Sequence, residues 1–349
     1  MKKRFLLAAA IAAAAVATLA NAQALPKTQL KVVGGLSNLS AYNDFEKPFW
    51  TQTVPKLSNG QVTAEIKGFN EMGLKGPEVL RLMSQGVIEF GTATLSYFAS
   101  DNPINEAVDL AGLVPDAKTA RAVVDSFAPV YAKFYGAGTG IKLLGLSPYP
   151  AQVLFCNAPI KGLADVKGKK VRTSSRTQAE FVEALGGTSV TMAFGEVVPA
   201  MQNKVVDCAI TGSLSGYQAK WYEVATHLLA LPVNWNPQIH AVNQKAWDKL
   251  DPKVQGFIQT NMKSMVDNMW EGAAAQTQEG YDCNSGAASC KQAVKGKMTL
   301  VQPSEADRVL LRKVMQETVL PKWAARCSAD CVRDFNATIG KVVGLTAKK

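Results

Sequence analysis

Residues 170–211 read KVRTSSRTQAEFVEALGGTSVTMAFGEVVPAMQNKVVDCAIT. They parse into a strand over 170–173, a helix over 178–185, a strand over 189–192, a helix over 196–202 and a strand over 205–211. Strands that alternate with helices at this spacing return to one sheet through helical crossovers. The stretch therefore predicts an α/β fold with largely parallel strands.

The same alternation runs upstream. Residues 30–35 read as a strand ending in glycines, 45–56 as a helix, 62–66 as an alternating strand and 77–84 as a helix opened by Pro77. A strand over 87–93, a helix over 119–135 and a strand over 141–146 follow. Ser147-Pro148-Tyr149-Pro150 then breaks the pattern, a candidate crossing between domains, and 152–156 opens the second series. Pro232 and Pro237 bracket Trp235 in a second break. From Pro252 to about Thr277 one long helix is expected, and the tail from Ser304 reads as helical again. No internal repeat of fixed period is visible.

The chain has 349 residues, 38 Lys and Arg against 28 Asp and Glu, and a formal net charge of +10. Its length suits two domains, and 47% hydrophobic content argues against disorder. Lys2, Lys3 and Arg4 precede an Ala/Leu-rich run from Phe5 to Ala20, and small residues follow at cleavage spacing. Residues 1–24 therefore read as a secretory signal peptide cut near Ala22 or Ala24, with an uncleaved anchor as the alternative. Removing those three positive residues leaves +7 (10 − 3). No later run approaches ~20 apolar residues.

Six cysteines, an even count in an exported chain, read as disulfides. Cys283 with Cys290 and Cys327 with Cys331 are the local candidates; Cys156 and Cys208 then pair with each other or remain as buried thiols. Zinc-type ligand spacing is absent, so no metal is expected. The catalytic signatures also fail. The chain has two histidines, and Gly212-Ser213-Leu214-Ser215-Gly216 places Leu where a nucleophile elbow needs Ser. Gly136-Ala137-Gly138-Thr139-Gly140 precedes a strand instead of following one, against a dinucleotide site. Basic residues are scattered without interleaved aromatics, against nucleic-acid binding. No cofactor is implied.

The decisive region also carries ordered motifs. Pro159-Ile160-Lys161-Gly162-Leu163-Ala164-Asp165-Val166-Lys167-Gly168-Lys169-Lys170-Val171-Arg172 leads to Ala184-Leu185-Gly186-Gly187. Then come Val190-Thr191-Met192, Phe194-Gly195-Glu196-Val197-Val198-Pro199-Ala200-Met201-Gln202, and Val205-Val206-Asp207-Cys208-Ala209. In order and spacing they resemble the solute-binding proteins of tripartite ATP-independent periplasmic (TRAP) transporters, the DctP family. Weaker matches extend the resemblance to about residues 30–265.

The resemblance implies a two-lobe periplasmic binding protein of type II-like architecture, with hinge strands, a ligand cleft and a long lobe-spanning helix. It places the first lobe at 27–150 plus about 238–280 and the second at 151–237 plus about 296–349. Arg172 takes the position of the family's carboxylate-pairing arginine, and Phe194 that of its ligand-packing aromatic. Thr211, where the family often has Asn, stands with Gly212 and Ser213 as hydroxyl and backbone donors. Asn70 and Glu71 fall on a first-lobe loop facing the ligand's far end, and Trp235 on the cleft or hinge. Gln152 replaces a second arginine found in many members, which points to a monocarboxylate with an apolar or aromatic body. The implied partners are a small organic acid and the small and large TRAP membrane subunits, with the receptor a monomer in the periplasm. The rival readings are a carboxylate receptor of a tricarboxylate, ABC-type or sensing system and, more remotely, a periplasmic enzyme.

Overall fold

The computed structural model describes residues 25–349, so the leader assignment lies outside the described residues. The strands are β1 (Thr28–Gly34), β2 (Val62–Gly68), β3 (Phe90–Thr94), β4 (Ile141–Ser147), β5 (Gln152–Cys156), β6 (Lys170–Thr173), β7 (Thr188–Thr191), β8 (Cys208–Gly212), β9 (His227–Asn234), β10 (Gln238–Asn243) and β11 (Thr299–Val301). They form two sheets, ordered β2-β1-β3-β10-β4 and β11-β9-β5-β8-β6-β7.

Most neighbours are parallel, as the alternation predicts, but one interior strand of each sheet runs the other way. β10 is antiparallel to β3 and β4, and β5 is antiparallel to β8 and β9. The reason lies in the two proline-marked breaks. The links between β4 and β5 and between β9 and β10 are too short to hold a crossover helix. The chain instead passes straight from one sheet into the other at both places. These two crossings join the lobes.

The labelled helices are α1 (Pro77–Ser84), α2 (Ala117–Gly136), α3 (Arg176–Ala184), α4 (Val197–Gln202), α5 (Ser213–Gln218), α6 (Pro252–Ser285) and α7 (Glu305–Val314). Side-chain caps start four of them: Asp116 accepts from the Thr119 amide, Ser175 from Gln178, Asp251 from Lys253 and Ser304 from Asp307. The helix expected over 45–56 is a longer run that includes π-helical turns at Ala41–Glu46 and Phe49–Thr53. Pro48 and Pro55 fall within it, and neither can donate a helical hydrogen bond.

α6 ends eight residues beyond the expected Thr277, at Ser285, where Gly286 adopts φ 79° as a left-handed cap. Tertiary contacts hold the added turns: Asn284 Nδ2 donates to Ser213 O at 2.9 Å, and Cys283 is bridged to Cys290. The other disulfides are Cys327–Cys331 and Cys156–Cys208, the latter joining directly opposed residues of β5 and β8. Among the described residues no helix is long and apolar enough to cross a membrane.

Candidate functional site

Arg172 sits near the carboxyl end of β6, between β7 and β8, just before α3 begins. Strand ends of this kind are where α/β sheets place ligands, because the following helix peels away and leaves a crevice. Three of the five guanidinium N–H groups are spent on backbone. Nε and Nη2 both donate to Met192 O, at 3.1 and 3.0 Å, and Nη1 donates to Ile210 O at 2.8 Å. One proton on each of Nη1 and Nη2 is left over. The side chain is 1% exposed. Burial lowers its pKa to about 10, so it stays charged, helped by Tyr97 and Glu196. Among the described residues no carboxylate lies within salt-bridge distance of it.

Arg172 lines a small chamber between the lobes, of about 20 Å³. Gln152, Ser174, Phe194, Thr211 and Ser215 complete the second-lobe side. Leu36, Leu39, Thr94, Tyr97 and Tyr149 face them from the first lobe, and Asn236 comes from the second crossing. The chamber shares Leu36, Tyr97 and Phe194 with an outer cavity of about 500 Å³, whose wall includes Phe69, Leu74 and Trp221. Phe194 stacks on Trp221 with centroids 5.6 Å apart, which fixes its ring beside both spaces.

The expected residues divide. Arg172, Gln152, Thr211 and Phe194 meet in the chamber. Gly212 lies behind it: a Cβ there would come within 2.7 Å of Ser215 Oγ and 3.2 Å of Gln152 Nε2. Ser213 does not face the ligand space. Its hydroxyl, fully buried, donates to Thr277 O of α6 at 2.9 Å, while Thr277 Oγ1 accepts from the Ala151 amide at 3.0 Å. Thr277 thus holds the start of β5 and the end of β8, the strand ends that present Gln152 and Thr211. Asn70 borders the outer cavity, but its Oδ1 accepts from the Ser37 amide; Glu71 accepts from the Gly68 amide as a local cap. Trp235 is buried and does not line the chamber, and its backbone amide is held by Asp109 Oδ1 at 2.9 Å.

Asp109 pins the whole second crossing, accepting also from the Asn236 amide and from Asn234 Nδ2. Burial raises its carboxyl to about 7, against those three hydrogen bonds. Across the outer rim Lys75 Nζ lies 3.2 Å from Glu196 Oε1, and the Ser40 amide donates to Gln218 Oε1 at 2.9 Å. Both contacts tie the first lobe to the second. Sequence reading missed Thr94, Tyr97, Tyr149, Ser174, Ser215 and Asn236. Ser174, Ser215, Tyr149 and Asn236 stood in stretches singled out there for other reasons, whereas Thr94 and Tyr97 did not.

The DctP family model, for bacterial extracellular solute-binding proteins of family 7, matches residues 39–325. Among relatives, the ectoine-binding periplasmic protein TeaA of Halomonas elongata is 22% identical over 64% of this chain and 67% of its own length. A solute-binding protein of Sulfitobacter sp. strain NAS-14.1 is 24% identical over 92% of this chain and 96% of its own. Two solved structures share the fold. Bordetella pertussis DctP7, binding pyroglutamic acid, superposes with TM-score 0.78 at 20% identity, covering 88% of this chain and 98% of that one. A Desulfovibrio salexigens TRAP protein with bound orotic acid gives 0.79 at 20% identity, covering 90% and 99%.

Proposed function

Because the chain belongs to the bacterial extracellular solute-binding proteins of family 7, we propose that it is the periplasmic receptor of a TRAP uptake system. It captures a small organic acid between its lobes and delivers it to the membrane subunits, working as a monomer after removal of the leader. Members of this family are receptors, not enzymes. The assignment of 27–150 plus about 238–280 to one lobe, and 151–237 plus about 296–349 to the other, is supported by sheet membership.

The observation that carries the reading is Arg172. A buried cation without a counter-ion is costly, and a ligand carboxylate supplies the missing charge through two parallel hydrogen bonds. The net positive charge of the chain favours the approach of anions. Gln152 leaves the chamber without a second cation, which favours a monocarboxylate. Phe194, backed by Trp221, offers an apolar face to the body of such a ligand. Solved neighbours hold pyroglutamic acid and orotic acid, both organic acids.

The test is to identify by mass spectrometry the acid that accompanies the purified protein, then titrate it calorimetrically into wild type and Arg172→Lys. Lys keeps the charge but not the planar fork, so most of the affinity is expected to vanish. Unchanged affinity in that variant would show that the carboxylate is held elsewhere.

A further inference from the structure

The second-lobe tail reaches across to the first lobe. Within α7, Asp307 Oδ1 accepts from the Leu163 amide at 2.7 Å, which anchors that helix on the second lobe. Further on, Trp323 Nε1 donates to Pro103 O at 2.8 Å, and the helix Ile339–Val343 packs on α2. Arg326 ends the helix Leu320–Arg326, at the place where the tail crosses. Its Nη2 donates to Glu106 Oε2 of the first lobe at 2.9 Å, and its Nη1 to Glu180 Oε1 of α3 in the second. One guanidinium thus answers a carboxylate from each lobe. None of the three residues lies in a motif that carries the family resemblance.

Glu106 is 1% exposed and Glu180 6%. Taking two charged carboxylates out of water is costly, and one buried cation stands against both. Arg176 Nε lies 3.7 Å from Glu180 Oε1, but its side chain is largely exposed and the pair adds little. Among the described residues Glu106 Oε1, Glu180 Oε2 and Arg326 Nε find no hydrogen-bond partner. The other ionisable groups beside Glu106 are Asp109, three residues on, and Tyr131 of α2, whose hydroxyl donates to Ile104 O at 3.0 Å. Neither supplies positive charge. Two buried carboxylates on one guanidinium are a positive charge short, and a single proton makes up the difference.

We propose that Arg326, Glu106 and Glu180 form a proton-completed clasp between the lobes, which favours their closed arrangement in acid and slackens as pH rises. Linkage sets the direction. In the clasp, burial raises Glu106 above its ordinary value, against the pull of Arg326. Parting the lobes takes a glutamate off the shared guanidinium and returns it to water and to the ordinary carboxylate range. The closed arrangement therefore holds more protons. Its advantage is complete below the ordinary range and is lost as pH rises through the raised value. A hydrogen-bond chain beside the clasp runs on to the ligand chamber. Asp109 accepts from Asn234 Nδ2, Asn234 Oδ1 from Gln178 Nε2 at 2.9 Å, and Gln178 Oε1 from the amide of Ser174, a chamber residue, at 2.8 Å.

The clasp does not depend on the assignment of a carboxylate to Arg172, so it is tested without ligand. The test is small-angle scattering of the full mature chain, dialysed free of ligand, from about pH 5 to about pH 8. Wild type is compared with Glu106→Gln, Glu180→Gln and Glu46→Gln, the last changing a buried first-lobe carboxyl outside the clasp. The wild-type radius of gyration is expected to rise with pH as the lobes part. Glu106→Gln carries a neutral group at every pH and should stay compact throughout. Glu180→Gln leaves Arg326 a single carboxylate and should do the same, so either variant decides if the other fails to fold. Glu46→Gln should keep the wild-type rise. A wild-type radius that does not change with pH overturns the proposal, as does a rise that survives in the clasp variants or vanishes in Glu46→Gln. Melting temperature would respond to the loss of any buried ion pair, whereas a pH-dependent change of shape belongs to a clasp.

Discussion

The second-lobe wall of the chamber presents a cation fixed by backbone carbonyls, whereas the first-lobe wall presents neutral hydroxyls. Arg172 is oriented by the carbonyls of Met192 and Ile210, which the sheet itself positions. The first-lobe hydroxyls come from Thr94 and Tyr97, at and just after the end of β3, and from Tyr149 in the link after β4, whose amide donates to Trp235 O at 3.3 Å. The same contrast appears in the buried ionisable groups. Arg172 stays charged with three hydrogen bonds. Glu46, fully buried beside Gly35, accepts one backbone hydrogen bond through Oε2, and its Oε1 has no partner. Burial raises Glu46 to about 7 against the bond from Gly35. One wall is built to keep a charge, and the ground behind the other is built to lose one.

The sharpest way to break this contrast is Arg172→Ala. Truncating one partner of a buried charge pair costs roughly 2–5 kcal/mol, so ligand affinity should fall by about 30-fold to several thousand-fold in calorimetric titration. A loss below about threefold would mean that the first-lobe wall holds the ligand by itself.

Next in size is the Cys156–Cys208 bridge, which pins β8 to β5. With a sequence separation of 52, against 7 and 4 for the other two, loop-closure entropy assigns it about 4 kcal/mol and each of the others about 2 kcal/mol. Paired Cys→Ser variants compared by urea unfolding should reproduce that ranking. If removal of the Cys156–Cys208 bridge costs least, the second-lobe wall owes its rigidity to the hydrogen-bond ladder alone.

A third probe is pH. Glu46 and Asp109 are both raised to about 7 in the fold, above their unfolded values, so each favours the native state at acid pH. That contribution is lost as pH rises through about 7. His240 works in the opposite sense. Burial lowers it to about 4, so its contribution is present above the ordinary histidine range and is lost as pH falls towards 4. Unfolding free energy should therefore decline as pH rises from about 4 to about 7, partly offset by His240 below about 6.5, and level off above; Glu46→Gln should flatten part of that decline. A flat profile in the wild type would mean that both carboxyls are ionised at neutral pH in the native protein.

The smallest effect belongs to Lys75→Ala at the outer rim. Its ion pair with Glu196 joins exposed side chains, and such pairs contribute little in water. Ligand affinity should change by less than about fivefold, and raising salt should shrink the difference further. A larger, salt-resistant loss would make the rim part of the ligand site.

The second-lobe wall could be read from the sequence because its parts lie close together in the chain. Lys170 to Thr211 contains Arg172, the residues of both accepting carbonyls and Phe194, in an order that also marks the family. Its β-α alternation survives in the fold with boundary shifts of a few residues, such as β8 starting at Cys208 instead of 205. Ser213 was misread because a hydroxyl one residue past a wall strand serves a ligand or a neighbouring helix equally well, and α6 lies far off in sequence. Thr94 and Tyr97 gave no signal at all. A Thr ending a strand and a Tyr in the turn after it are ordinary, and their meaning comes from Arg172 standing across the chamber. The antiparallel sense of β5 and β10 was hidden for a related reason: proline marks a break without saying which sheet the chain enters next.

The helix α6 has a mechanical consequence. Trp270 Nε1 donates to Leu146 O on β4, in the first lobe; about two and four turns further on, Thr277 and Asn284 grip Ser213 in the second. At Gly280 the backbones meet so closely that a Cβ would lie 2.2 Å from Leu214 N. A rod clamped at two points about 10 Å apart behaves as a leaf spring and not as a sliding bolt. The lobes can separate only by flexing that short span or by springing one clamp, so their travel is an arc with a built-in stop and a restoring force.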